Sequence, residues 1–297
     1  MSDTNGARLT LSGAAARPWR VDMEPNIFSL MRACQASQLD DCFVSEAPKD
    51  TIFVPGCMLS AESLELTTAV YSWLCAHSLV DGITFRCCGN ILKTMSSPAE
   101  REQYLCDLRQ QLAVHEVSCI ITACPNCYKA FNLLKNENSL CDYKVLALSE
   151  VLAKSGMRIR ASDTSYCIHD SCPDRTSGVF AASVRSLFSS TAAQGANCNT
   201  LCEMKHNREQ SRCCGLGKML SLTDPNASAK MREARAKEFF QTDANKLVTY
   251  CATCTQAFQT SEAKRYCWHY LELLFDIEID WQANQKRFEH CLACVSG

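Results

Sequence analysis

The sequence predicts an internally duplicated α/β protein whose two similar halves each contain a small, mostly parallel sheet. Short apolar strands alternate with helical segments from residue 51 onwards, which is typical of parallel α/β folds. A spaced set of five cysteines also occurs twice in the same order. Similar sequences surround the last two cysteines of each set, Thr122–Phe131 and Thr249–Phe258. These observations indicate a duplication with its seam near Gly156–Asp163.

The chain divides into four predicted parts. Residues 1–48 form a partly irregular extension in which Ile27–Ser37 has the pattern of a short helix. The first cysteine-rich domain spans residues 49–158 and the second spans residues 159–280. Residues 281–297 form a C-terminal tail. The 297 residues are enough for two ordinary domains of this size.

The first predicted strand is Thr51–Val54, which ends at the turn signal Pro55–Gly56. This turn is expected to leave Cys57 in a loop. Ala61–His77 has the apolar spacing of a helix, and Gly82–Arg86 is predicted as a second strand that leads into a pair of adjacent cysteines.

A longer helix is predicted over Ser97–Glu116, where Ser97 is a suitable N-cap and Pro98 is favoured at the first helical position. The strand Cys119–Thr122 follows and leads into a Cys-x-x-Cys pair. Tyr128–Leu134 is predicted as the next helix. In parallel sheets, binding sites form at the carboxyl ends of strands, and the repeated cysteines all follow predicted strands.

The second half repeats this order of elements. Its predicted elements are the strand Ser165–His169, the helix Val179–Ser190, the helix Pro225–Gln241 and the strand Leu247–Tyr250. Each half closes with a similar apolar stretch, Leu148–Leu152 in the first and Leu271–Leu274 in the second.

Composition narrows the possible functions. The net charge of −2 gives no electrostatic reason to expect nucleic-acid binding, and no apolar run reaches the roughly 18–20 residues of a membrane span. Residues 1–16 lack the apolar stretch of a signal peptide, so we expect a cytoplasmic protein. In a reducing compartment, cysteines are either metal ligands or small buried side chains rather than disulfides.

Ten of the 22 cysteines form the repeated pattern. A single cysteine is followed, after 29 residues in the first copy and 40 in the second, by two adjacent cysteines and a glycine. A Cys-x-x-Cys pair follows after 35 and 36 residues. The first copy is Cys57, Cys87, Cys88, Cys124 and Cys127, and the second is Cys172, Cys213, Cys214, Cys251 and Cys254.

This arrangement is suited to holding soft metals. A Cys-x-x-Cys pair at the start of a helix directs two thiolates at one centre, and the helix N-terminus lowers their pKa. Adjacent cysteines reach one centre only if the backbone bends, which Gly89 and Gly215 permit. Two cages, most consistent with iron–sulfur, are therefore predicted. A vicinal disulfide between Cys87 and Cys88 would not need the nearby Cys-x-x-Cys pair.

Each cage has five cysteines, whereas a tetrahedral zinc or an ordinary iron–sulfur cube takes four. The fifth cysteine of each set could be a spare, an exchangeable ligand or a bridge within an unusual cluster.

The motifs resemble a known family. The first half contains Pro-Gly-Cys, Cys-Cys-Gly and Cys-Pro-Asn-Cys-Tyr, and the second contains His-Asp-Ser-Cys, Cys-Cys-Gly-Leu-Gly and Cys-x-x-Cys. These motifs, over Thr51 to Phe275, resemble the cysteine-rich CCG-domain family, and the two-copy form is most similar to the CCG-domain subunit of heterodisulfide reductase. Ser171 stands where that family often has proline. The resemblance implies two noncubane [4Fe–4S] clusters, each bound by one five-cysteine set, although some relatives hold zinc in one site.

The same resemblance implies a cytoplasmic oxidoreductase subunit that reduces a disulfide or related sulfur compound at the clusters themselves. Its expected partners are a ferredoxin-like iron–sulfur subunit and a flavoprotein subunit. An alternative is an iron–sulfur electron relay in a lactate, glycolate or glycerol 3-phosphate dehydrogenase-type complex. A third possibility is a zinc-stabilised scaffold without redox activity.

Other residues receive weaker predictions. His169 and Asp170 precede Cys172 and are candidates for a supporting or proton-donating role near the second cluster. The competing interpretation is that they form hydrogen bonds within a backbone turn. A nearby basic group could attract an anionic substrate: Arg208, Arg212 and Lys218. Cys198 and Cys202 are interpreted as core or surface thiols, with contact to the second cage as the alternative. Cys291 and Cys294 are interpreted as free thiols, with a redox pair or a metal clip as the alternative. The remaining cysteines are predicted to be packing residues: Cys34, Cys42, Cys75, Cys106, Cys119, Cys141, Cys167 and Cys267.

Overall fold

The computed structural model describes residues 50–136, 142–189 and 199–286. The predicted helix Ile27–Ser37 and most of the predicted C-terminal tail lie outside these ranges. Two four-stranded parallel sheets form, one in each half, so the predicted duplicated α/β fold is confirmed. Within the described ranges, every helix is too short or too polar to cross a lipid bilayer.

The first sheet contains β1 (Thr51–Val54), β2 (Gly82–Ile83), β3 (Cys119–Thr122) and β4 (Lys144–Ala147). Its strand order is β2-β1-β3-β4, and every pairing is parallel. The two central strands, β1 and β3, are almost entirely buried, which agrees with their continuous apolar sequences.

The second sheet contains β5 (Ser165–His169), β6 (Thr200–Cys202), β7 (Lys246–Thr249) and β8 (Cys267–His269). Its order, β6-β5-β7-β8, repeats that of the first sheet, again with parallel pairing throughout. The register repeats as well, because His169 lies opposite Thr249 as Val54 lies opposite Thr122.

Helices connect the strands and cover both sheets. In chain order they are α1 (Cys57–Glu62), α2 (Leu64–Ala76), α3 (Leu92–Met95), α4 (Pro98–Val114), α5 (Pro125–Asn136), α6 (Leu148–Lys154), α7 (Val179–Leu187), α8 (Leu220–Thr223), α9 (Pro225–Phe240), α10 (Ala252–Gln259) and α11 (Tyr270–Phe275). Short 3₁₀ turns also occur, including Cys172–Asp174, Gly217–Met219 and Glu262–Tyr266.

Each of the two long connecting helices, α4 and α9, begins with a proline that follows an N-cap residue. The Ser97 hydroxyl accepts a hydrogen bond from the Glu100 backbone amide, and the Glu100 carboxylate accepts one of 2.7 Å from the Ser97 amide. This capping box starts α4 at Ser97, the N-cap residue predicted from the sequence. At the start of α9, Asp224 accepts a hydrogen bond of 2.9 Å from the amide of Ala227.

The two halves share one hydrophobic core. Helix α6 packs on α7, and α10 packs on α1, so each half contributes helices to the interface. Residues of both sheets meet in this core, including Phe53 from β1 and Ile168 from β5. Polar contacts across the interface include the hydroxyls of Ser149 and Ser183, 2.7 Å apart. Each sheet also has a second core on its other face, which packs within its own half.

The structure corrects several local predictions. Cys57 begins α1 instead of lying in a loop, and the predicted helix Ala61–His77 is interrupted at Ser63. The predicted strand Gly82–Arg86 is limited to two residues. Strands β4, β6 and β8 were not predicted. They lie at the edges of the sheets, and their sequences have weak apolar patterns.

Candidate metal centres

The five patterned cysteines of the first half meet at the carboxyl end of the first sheet. Cys57 follows β1 and is the first residue of α1, while Cys87 and Cys88 follow β2. Cys124 follows β3, and Cys127 lies in the first turn of α5. Parallel strands bring these positions to one edge, as the sequence predicted.

Hydrogen bonds connect the thiols of this first site in a fixed order. Cys87 contacts both Cys57 and Cys88. Cys88 then contacts Cys127, and Cys127 contacts Cys124. All five cysteines of the first copy of the pattern are therefore in one connected group.

The second site repeats the arrangement with its own five cysteines. Cys172, which opens a 3₁₀ turn after β5, contacts Cys213. Cys213 contacts Cys214, and Cys214 contacts Cys254. Cys254, in the first turn of α10, contacts Cys251 at the end of β7.

The two sites adjoin each other. The thiol of Cys124 in the first half is hydrogen-bonded to that of Cys251 in the second half. The ten cysteines consequently form one continuous series of neighbouring thiols that runs from Cys57 through both halves to Cys172. The sequence predicted two separate cages and gave no indication that they would touch.

Glycines leave room for the thiols and allow the backbone to bend around them. A Cβ atom on Gly56, which has φ of +86°, would lie 2.7 Å from the Cβ of Cys124. Gly215 has φ of +93°, and a Cβ there would lie 2.4 Å from the carbonyl oxygen of Ser228. Gly89 also has positive φ, at +73°, so both glycines predicted to permit a bend adopt left-handed conformations.

The neighbouring thiols affect one another's ionisation. Hydrogen bonds from Cys172 and Cys214 lower the pKa of Cys213 to about 2. The pKa of Cys172 is raised, because its thiol donates to Cys213 and is partly buried. In the first site, the pKa of Cys88 is likewise lowered by a hydrogen bond from Cys127, whose own pKa is raised.

Each site can thus ionise some of its thiols only while their neighbours remain protonated. A bound cation removes this restriction, because its positive charge stabilises several thiolates at once. The donors in contact are all sulfur atoms, which favours soft metals and iron–sulfur clusters over magnesium or calcium. Both five-cysteine sites therefore fit an iron–sulfur cluster.

His169 lies against the second site. This residue ends β5, and a ring nitrogen lies within 4.8 Å of the sulfurs of Cys214 and Cys254, which are likewise within that distance of each other. Its Nδ1 atom contacts Nε and Nη2 of Arg235 at 3.3 and 3.2 Å. Burial and the charge of Arg235 lower the pKa of His169 to about 3, so the ring is neutral.

The sequence analysis did not single out Arg235, which lies in a helix that contains many charged residues. Its side chain is buried, with only 1% exposed. A comparison of the two halves could have identified this residue, because an arginine in one half stands where the other half has a leucine. Arg235 and Leu108 are both the eleventh residue of helices that begin at Pro225 and Pro98.

Asp170 is bound by Arg185 and by the backbone of Arg208. Its carboxylate accepts two hydrogen bonds of 2.8 Å from Arg185 and one of 2.7 Å from the backbone amide of Arg208. Burial acts to raise the pKa of Asp170, but the hydrogen bonds and charge of Arg185 outweigh it and the pKa is lowered. Asp170 therefore remains ionised and holds the segment before Cys172 in place.

The predicted basic group is largely engaged in ion pairs. Arg208 contacts Glu203 at 3.0 Å, and Arg212 lies 3.9 Å from Glu238. These pairs reduce the positive charge that could attract an anionic substrate. The side chain of the third member, Lys218, lies outside the described parts of the chain.

The predictions for the other cysteines are confirmed only in part. Cys167 and Cys267 are buried, and Cys119 is half-buried, as packing residues would be. Cys75 and Cys106 are exposed, so their predicted packing role is wrong. Cys202 lies on β6 opposite Cys167. The remaining unpatterned cysteines lie outside the described residues: Cys34, Cys42, Cys141, Cys198, Cys291 and Cys294.

Comparisons with known proteins agree with the duplicated pattern. The family model for the cysteine-rich domain CCG matches residues 51–132 and 166–259. An uncharacterized iron–sulfur protein of Methanococcus maripaludis is 24% identical over 232 residues, which cover 76% of this chain. The chain spans less than half of that relative, because the match covers 44% of its length.

Similarity to solved structures is weak. An aspartate racemase of Picrophilus torridus has a TM-score of 0.34 and 13% identity, with coverage of 81% of this chain and 94% of the racemase. An aspartate racemase homologue from Pyrococcus horikoshii OT3 has a TM-score of 0.30 and 10% identity, with coverage of 82% and 99%. These scores are too low to support any assignment of fold or activity.

Proposed function

The chain belongs to the family of cysteine-rich CCG-domain proteins, and from this premise we propose that it is an iron–sulfur oxidoreductase subunit with one cluster in each half. The observation that carries the proposal is the contact of ten thiols in two complete and equivalent sets. The name of the Methanococcus maripaludis relative also supports iron–sulfur binding, within the part of that protein that matches.

The residues that would hold the clusters are the ten patterned cysteines. The first set is Cys57, Cys87, Cys88, Cys124 and Cys127, and the second is Cys172, Cys213, Cys214, Cys251 and Cys254. When bound, clusters of the [4Fe–4S] type supply one-electron transfer. The five thiols in each set favour the noncubane form over the ordinary cube, which takes four cysteines.

The reaction we propose is the reduction of a disulfide or a related small sulfur compound in a heterodisulfide reductase-like complex. Dithiol exchange at the protein would need a free cysteine of low pKa beside a resolving cysteine. The thiols of lowered pKa, Cys88, Cys213 and Cys251, are surrounded by other members of the two sites. Their proposed role as ligands leaves them unavailable for exchange, which favours chemistry at the clusters.

The proposed partner subunits are inferred from two cofactor-binding motifs that the sequence does not contain. The sequence has neither a Gly-x-Gly-x-x-Gly nucleotide motif nor the Cys-x-x-Cys-x-x-Cys run of a ferredoxin. We therefore propose that a ferredoxin-like iron–sulfur subunit delivers electrons and that a flavoprotein subunit loads that donor. The proposed location is the cytoplasm.

A second candidate function is an electron relay in a lactate, glycolate or glycerol 3-phosphate dehydrogenase-type complex. The contact of Cys124 with Cys251 favours this candidate as much as the first, because two adjoining centres suit the transfer of electrons through the protein. Such a relay would need no disulfide chemistry.

The proposal is tested by anaerobic purification followed by iron, sulfide and zinc analysis and by EPR of the reduced protein. We expect a brown protein with iron and sulfide in equal amounts. A colourless protein that contains only zinc would overturn the redox function. Turnover of small disulfides with a one-electron donor would then favour the reductase, whereas reduction of quinone analogues by a hydroxy-acid dehydrogenase partner would favour the relay.

A further inference from the structure

His169 presents an unused hydrogen-bonding group beside the second site. The residue is 1% exposed, and its Nε2 atom has no hydrogen-bond partner among the described residues. A ring nitrogen lies within 4.8 Å of the sulfurs of Cys214 and Cys254. A buried polar atom without a partner is costly, so its retention at this position requires an explanation.

Arg235 determines which ring nitrogen of His169 carries the proton. An arginine side chain only donates hydrogen bonds, and Arg235 directs both Nε and Nη2 at Nδ1 of His169. Nδ1 must therefore supply a lone pair, which places the proton of the neutral ring on Nε2. Arg235 is itself held by Glu238, whose carboxylate lies 2.6 Å from Nη1.

This tautomer makes His169 a donor and not a metal ligand. A histidine that binds a metal through one nitrogen usually donates from the other nitrogen to a carboxylate or carbonyl oxygen. Here the other nitrogen faces a donor, Arg235, and metal binding at Nε2 would set two N–H groups against each other. An Nε2–H group can instead donate to sulfur.

The first site has apolar residues at both equivalent positions. Val54 occupies the place of His169 in the strand register, and Leu108 occupies the place of Arg235 in the helix. Both belong to the hydrophobic cluster that contains Cys88 and Cys127. The two sites therefore have equivalent sets of five cysteines, but only the second has polar residues at these two neighbouring positions.

Hydrogen bonds to sulfur and nearby positive charge both favour the reduced state of an iron–sulfur centre, because reduction adds negative charge. We propose that His169, held in its Nε2–H tautomer by Arg235, donates a hydrogen bond to sulfur in the second centre and makes that centre the preferred electron acceptor. His169 and Arg235 act as positioning and tuning residues. This inference rests on the proposed function and adds a direction of electron transfer, from the first centre towards the second.

The test is a potentiometric titration, followed by EPR, of the iron-loaded protein and three variants. His169→Leu removes the donor, His169→Gln keeps an amide donor, and Val54→Leu is a matched control at the equivalent position of the first site. Signals are assigned to each centre from Cys88→Ser and Cys214→Ser proteins. We expect His169→Leu to lower the ratio of reduced to oxidised second centre about tenfold at a fixed potential, which equals about 59 mV for a one-electron couple.

His169→Gln is expected to restore part of this shift, while Val54→Leu should leave the second centre unchanged. Labelling histidine with ¹⁵N gives an independent readout by ENDOR, in which a hydrogen-bonded nitrogen couples weakly to the reduced centre and a ligating nitrogen couples strongly. Strong coupling, or an unchanged potential in His169→Leu with full iron content, overturns this inference alone. Absence of iron from the wild-type protein overturns the proposed function as well.

Discussion

Cys124 and Cys251 belong to different halves of the protein, and their thiols share a hydrogen bond. Each is the first cysteine of a Cys-x-x-Cys pair that follows a central strand, β3 or β7. Helices α1 and α10 also pack together across the interface between the halves. The hydrogen bond between these thiols brings two sites, each complete within its own half, into direct contact.

Substitution of one central cysteine should remove one centre and leave the other. Cys88 and Cys214 occupy equivalent places within their sites, and both are buried. We expect Cys88→Ser and Cys214→Ser each to lower the iron content by about half, because one complete five-cysteine set remains. Iron and sulfide analysis of anaerobic protein measures this. Cys106→Ser, at an exposed position on α4, is the control and should retain all of the iron. Loss of all iron in either central variant would show that the two centres do not assemble independently.

The position of a cysteine along the series of thiols should determine whether its loss affects the opposite centre. Cys124 touches the second site, whereas Cys57 lies at the far end of the first. In Cys124→Ser we expect an altered EPR spectrum of the second centre, because the side chain in contact with its ligand Cys251 changes from sulfur to oxygen. In Cys57→Ser that spectrum should match the one obtained with Cys88→Ser. Identical second-centre spectra in all three variants would contradict a functional contact between the sites.

Gly56 should be required for the first centre because of space as well as backbone conformation. Its φ of +86° disfavours any side chain, and an added Cβ would lie 2.7 Å from Cys124. Gly156 has a nearly identical φ of +83° but no atom within 4 Å of such a Cβ. Gly156→Ala therefore reports the backbone strain alone, about 1 kcal/mol or more. Gly56→Ala should add a specific loss of first-centre iron, and equal iron content in the two variants would refute the steric argument.

The central strands and the cysteine positions could be predicted because their signals are local. Three strands were predicted with the bounds that the structure has, because each is a short apolar run at a turn or motif. They are Thr51–Val54, Cys119–Thr122 and Ser165–His169. The outer strand β4 was missed, because it begins with the exposed Lys144 and pairs along only one edge. Strand β6, with exposed Thr200, was missed for the same reason.

The relationship between the sites could not be predicted, because it depends on packing between the halves. No local pattern indicates that Cys124 will meet Cys251. The face on which a helical cysteine lies was equally hard to judge, and apolar neighbours wrongly suggested burial of Cys75 and Cys106. For Arg235 the charge itself was misleading, since its burial depends on Glu238 and His169 as partners.

Glu272 provides a prediction about pH that is separate from the cysteines. This α11 residue is 4% exposed, and burial raises its pKa to about 7 although three donors contact it. Its carboxylate accepts hydrogen bonds from the backbone amides of His269 and Ile279, at 2.6 and 3.0 Å, and from Nε1 of Trp281 at 3.0 Å. These contacts join α11 to the segment that follows it.

A carboxyl group with a raised pKa binds its proton more tightly in the folded protein than in the unfolded chain. Its contribution to the free energy of unfolding is therefore greatest below the unfolded value of about 4.3 and declines until the pH reaches about 7. The total decline is on the order of 3 kcal/mol. Glu272→Gln cannot titrate, so its stability should fall less than that of the wild type between pH 5 and pH 7, a window of about two units within this range.

Urea unfolding of the iron-loaded protein, followed by circular dichroism at both pH values, measures this difference. Contributions from other titrating groups are common to both proteins and cancel in the comparison. Glu65→Gln, at an exposed position on α2, is the control and should keep the wild-type dependence on pH. If Glu272→Gln loses as much stability as the wild type over this window, Glu272 is already ionised at pH 5 in the folded protein, and its three hydrogen bonds outweigh the effect of burial.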